Sequence, residues 1–103
     1  MLKMNCLSGN NRMNNMAKRL MVIEYRNDAD AERLKTCLDM CCAPFVAFRE
    51  YEFVGGGALW KFYIDRGKWT WEQIKRTVNM VRPVKFRYET GMYIKNKTLY
   101  FAN

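Results

Sequence analysis

GKWTWEQIKRTVNMVRP, residues 67–83, decides the fold. Thr70 is placed to cap a helix, and Gln73 three residues on completes a capping box. Trp69 and Ile74 occupy the two positions of a hydrophobic staple around that cap. Trp71, Ile74, Val78 and Val81 then recur at helical spacing, so one face is apolar and points at a core. The other face shows Glu72, Lys75, Arg76, Asn79 and Arg82, and Pro83 closes the helix. Both Trp69 and Trp71 thus have structural work before any ligand is invoked.

A strand flanks this helix on each side. VKFRYE (84–89) alternates, with Val84, Phe86 and Tyr88 assigned to the core face and Lys85, Arg87 and Glu89 to the other. ALWKFYID (58–65) alternates as well, with Ala58, Trp60, Phe62 and Ile64 toward the helices and Leu59, Lys61, Tyr63 and Asp65 on the open side. Before it, PFVAFREYEFV (44–54) reads as a strand joined to it by Gly55, Gly56 and Gly57. A glycine triplet can cradle a phosphate, but that mechanism needs a following helix with Lys and Ser or Thr. Here a strand follows, so the triplet is read as a hairpin loop with positive φ angles.

Further out, RLMVIEY (19–25) reads as the first strand, and Asn27 caps a second helix carrying Ala31, Leu34, Leu38 and Cys41 on one stripe before Pro44. Asp28, Asp30 and Glu32 fall in its first turns, where carboxylates complement the helix dipole, and this explains them better than half of a cation site. MYIK-NK-TLYF (92–101) reads as a final tight hairpin, with Asn96 suited to positive φ. The expected fold is α+β: a ferredoxin-like β-α-β-β-α-β sandwich, an antiparallel sheet with two helices on one face, plus a C-terminal β-hairpin. RNA-recognition motifs share this order of elements. Their third strand carries a basic-Gly-aromatic-Gly-Phe-Val-x-aromatic signature, whereas ALWKFYID has no glycine and not that pattern.

Residues 18–103 are expected to form a single domain, preceded by a flexible polar leader over 1–17 that is rich in Asn and short of periodic apolar positions. Neither a secretory core nor a membrane span is legible in the chain, which places the product in the cytoplasm and away from membranes. Cys37, Cys41 and Cys42 crowd one helix without a C-x-x-C pair, and read as reduced, core-packing thiols rather than a metal or redox site. No cofactor is expected. The chain has no histidine, so no Ser-His or Cys-His nucleophile can be assembled. Glu24, Glu50 and Glu52 lack a recognisable partner spacing, and the reading is a binding protein, not an enzyme.

Charge gives the binding surface. The net charge is +8 but unevenly placed: residues 1–19 hold four bases and no acid, 20–65 five bases and eight acids, and 66–103 nine bases and two acids. Such a one-sided field attracts a polyanion or an acidic protein. The candidate contact residues are Lys61, Tyr63, Lys75, Arg76, Arg82, Lys85, Arg87, Tyr93, Lys95 and Lys97, the cations for phosphates and the tyrosines for base stacking. The first expectation is a nucleic acid on the C-terminal sheet and helix surface. The alternative is a protein partner, as for an inhibitor or adaptor of the kind phages and mobile elements direct at host defence enzymes. An exposed strand edge would also permit a homodimer.

Overall fold

A computed structural model describes residues 18–102, and the expected leader over 1–17 lies outside the described residues. The elements run β1 (Leu20–Tyr25), α1 (Asp28–Cys41), β2 (Phe45–Glu52), β3 (Ala58–Ile64), α2 (Trp71–Val78), β4 (Lys85–Glu89), β5 (Met92–Lys95) and β6 (Thr98–Phe101). Strands β2-β3-β1-β4 form one sheet in that order, every pairing antiparallel, and β5-β6 form a separate two-stranded sheet. The domain is α+β, with two helices and an antiparallel sheet.

The core follows from alternation. β1 turns Met21, Ile23 and Tyr25 to the helices, and β3 turns Ala58, Trp60, Phe62 and Ile64 the same way. Leu34 and Leu38 of α1 and Ile74 and Val78 of α2 close over them. The Asn27 side chain accepts the Asp30 N–H at 2.7 Å, starting α1. The helix ends one turn before Pro44. There the Ala43 N–H donates to the Leu38 carbonyl and the Cys42 N–H to Asp39, both at 3.1 Å, a Schellman motif with Cys42 in the left-handed region at φ 60°. The β2-β3 loop carries Gly55, Gly56 and Gly57 at φ 90°, 112° and 88°, as expected of a hairpin. Gly57 has a second reason to be glycine: a Cβ there would lie 2.8 Å from the Arg26 carbonyl oxygen.

The capping box of α2 forms as read. The Gln73 N–H donates to Thr70 Oγ1 at 3.1 Å, and the Thr70 N–H donates to Gln73 Oε1 at 2.8 Å. The helix itself stops at Val78, so Arg82 lies in the turns after it rather than on its face. Met80 and Val81 there bond back to Thr77 and Val78 at three-residue spacing. Val81 still reaches the core, because the buried Tyr25 hydroxyl donates to its carbonyl.

β4 corrects one expectation. Val84 is 54% exposed and Phe86 37%, and only Tyr88 packs on the core from its edge. β4 is the last strand of the sheet, and α2 is too short to roof it. Trp71 therefore meets Tyr88 edge-on at 5.2 Å, and Tyr88 meets Phe86 in the same way at 5.2 Å. In the hairpin, Asn96 has the expected positive φ of 51°, and Lys97 joins it at 61°. Two consecutive positive φ angles are those of a type I′ turn.

Candidate nucleic-acid interface

The ten residues singled out from the sequence fall into three groups. Lys61, Tyr63, Lys85 and Arg87 come together on the face of the sheet away from the helices. Lys75 and Arg76 lie on α2, on the opposite side of the sheet, with Arg82 in the turn beyond. Tyr93, Lys95 and Lys97 belong to the separate hairpin. No single surface unites all ten.

The sheet face is balanced in charge. Glu24 stands in register between Lys61 on β3 and Lys85 on β4. Lys61 Nζ also lies 3.9 Å from Glu50, and Arg87 Nε donates to Glu89 at 2.9 Å. Three carboxylates thus stand beside three cations. Tyr63 meets Phe48 edge-on at 5.9 Å and is half-buried. Leu20 and Val22, on this same face and outside the main core, are buried as well. The centre of the face is therefore not the bare stacking platform that alternation suggested. In the hairpin, the rings of Tyr93 and Tyr100 stack on each other at 5.2 Å.

The helix side differs. Lys75 Nζ sits 5.4 Å from the Phe86 ring centroid, and the Arg19 guanidinium lies 4.1 Å from Tyr88 and 5.8 Å from Trp71. Cation–π contact holds such a charge in place without neutralising it. Lys68 Nζ lies 5.4 Å from the Trp69 ring, and Arg66 donates to the Trp69 carbonyl at 2.8 Å. Among the described residues, Arg19, Arg66, Lys68, Lys75, Arg76 and Arg82 form no ion pair with a carboxylate. Glu72 is the one acid between Arg66 and Arg87 in the sequence.

Arg19, Arg66 and Lys68 did not stand out from the sequence as contact residues. Their signal was present: from residue 66 onward bases recur with hardly an acid between them, and Arg19 closes a stretch of four bases without an acid. The acidic residues gather elsewhere. Asp28, at the start of α1, accepts from Arg49 Nε at 3.0 Å and from the Trp60 indole at 2.7 Å. These hydrogen bonds, Arg49 first, hold its carboxyl below the ordinary range. Arg49 reaches Glu52 as well, at 2.9 Å, so this cation is fully engaged.

No group of three or more metal-ligating side chains occurs among the described residues, and no helix there is long and apolar enough to cross a membrane. Cys37 and Cys41 pack against the core, and Cys42 is exposed. The chain matches no protein-family model, no curated protein and no solved structure.

Proposed function

We propose that this chain is a small cytoplasmic nucleic-acid-binding protein without catalytic activity, built on a ferredoxin-like sandwich with an added hairpin. The sheet order β2-β3-β1-β4 around a central β1 supports the fold reading. One observation carries the functional reading: among the described residues the cations on and around α2 form no ion pair with a carboxylate, while on the sheet face Lys61 and Arg87 are paired with Glu50 and Glu89 and Lys85 stands in register beside Glu24. A phosphate backbone supplies the missing counter-charge in a periodic array, and Arg76 and Lys75 on a short exposed helix can follow it. The interface runs from Arg66 and Lys68 along α2 to Arg82, with Arg19 above the Trp71–Tyr88 edge.

The test is a mobility shift against DNA and RNA at low and high salt. Neutralising four to six phosphates makes log K fall against log salt with a slope of about −3 to −5. An affinity indifferent to salt overturns the reading.

A second reading has its own observation. Val84 and Phe86 leave apolar surface on an edge strand, and Phe101 of the hairpin is 70% exposed. Such an edge suits strand addition by a protein partner or a second copy. Recovery from the native host of one stoichiometric protein after nuclease treatment would favour this reading over the first.

A further inference from the structure

Between the end of α1 and α2 lies a cleft of about 460 Å³. Its volume falls in the range of small-ligand sites, roughly 300–1,000 Å³. One wall is a single stripe of α2 and its following turn, with Gln73, Arg76, Thr77 and Met80 at i, i+3, i+4 and i+7. Trp69 and Cys41 contribute the other side. No carboxylate lines it.

Most polar atoms here are already committed. The Trp69 indole N–H donates to the Cys41 carbonyl at 2.9 Å, Gln73 Oε1 accepts from Thr70, and Thr77 Oγ1 donates to the Gln73 carbonyl at 3.2 Å. What remains is an apolar slot with an aromatic side, a soft exposed thioether at Met80, and two sets of free donors. Those donors are the Arg76 guanidinium and the Gln73 amide nitrogen. The surroundings are cationic, with Lys68 against Trp69 and Lys75 next to Arg76 on the helix. The occupant that matches all of this is planar, apolar on its faces, rich in acceptors on its edge and attached to an anion.

We propose that the cleft receives one unpaired nucleobase, whose flanking phosphate lies on Arg76, so that the protein prefers single-stranded to duplex nucleic acid. The proposal rests on the nucleic-acid reading above and names its substrate class. A base in a duplex reaches the cleft only by leaving its stack and pair, whereas a base of a single strand is free to enter. Every base has a π-face, so the preference is for unpaired strand and not for sequence.

The experiment is fluorescence anisotropy with a labelled oligothymidine, the same strand with abasic sites throughout, and a duplex of equal length. The variant is Met80→Ala, which removes one wall of the cleft at an exposed position and leaves the charge unchanged. Base–aromatic stacking of ordinary strength makes the oligothymidine bind roughly tenfold or more tightly than the duplex. The abasic strand and Met80→Ala each bring that ratio close to one, with duplex affinity unchanged. Equal binding of all three ligands overturns the cleft proposal and leaves the polyanion interface standing. Failure to bind any of them overturns both. Displacement of a hydrophobic dye from the cleft by decanoate but not by thymidine monophosphate assigns it to an amphipathic anion, which also overturns the proposal.

Discussion

At the scale of single residues, two positions show how local chemistry departs from composition. Cys42 ends α1 in the left-handed region, where a Cβ costs roughly 1–2 kcal/mol and glycine is the usual occupant. Its side chain is exposed, so Cys42→Gly loses no packing and gives up only the entropy of a more flexible unfolded chain. The net expectation is a stabilisation of about 0.5–1 kcal/mol, read as a rise in the urea midpoint. Asp28 sets a pH dependence. Its carboxyl titrates below the ordinary value of 3.8, chiefly through the Arg49 hydrogen bond and then that of Trp60. A folded pKa below the unfolded one means stability that is present above the unfolded value and lost as the pH falls through the folded value. Asp28→Asn is therefore less stable than the wild type near neutrality, and the two converge in acid below the carboxyl range. Urea unfolding across that range checks it, and a gap that persists in acid would refute the assignment.

At the scale of elements, α2 positions the cations of the interface. Thr70→Ala removes the capping hydroxyl and costs about 1 kcal/mol, measured by thermal unfolding. The turn after α2 is tied to β1 by the Tyr25 hydroxyl on the Val81 carbonyl. Burial holds that phenol's proton well above the usual phenol range. Tyr25→Phe strands a buried acceptor and costs about 1–3 kcal/mol, with the same assay as the check. These elements were legible because their signals are local: a cap three residues from its partner, apolar stripes at helical spacing, three glycines between two alternating runs. The exposure of Val84 and Phe86 was not legible. Alternation gives the side of a strand but not whether a helix reaches over it, and α2 stopping at Val78 decided that. The placement of Lys61 and Lys85 on either side of Glu24 was equally hidden, since it depends on β1 lying between two strands distant in sequence.

At the scale of the whole molecule, the fold sorts charge. The sequence placed the excess of bases after residue 65, and it led to Lys85 and Arg87 as readily as to Lys75 and Arg76. Strand register then sets Glu24 beside Lys85, and Glu89 of the same strand pairs with Arg87, whereas Glu72 is the one acid on α2. The central claim is that the working cations are those on the helix side. The direct measurement compares Lys75→Glu/Arg76→Glu with Lys61→Glu/Lys85→Glu, two variants of equal net charge, for affinity to one oligonucleotide across a salt series. Each phosphate contact contributes roughly 0.7 log units of affinity near physiological salt. The helix-side variant is expected to lose about 30-fold or more and to flatten the salt slope by roughly 2. The sheet-face variant is expected to keep the wild-type slope. Equal losses in the two, or a larger loss in the sheet-face variant, would contradict the account.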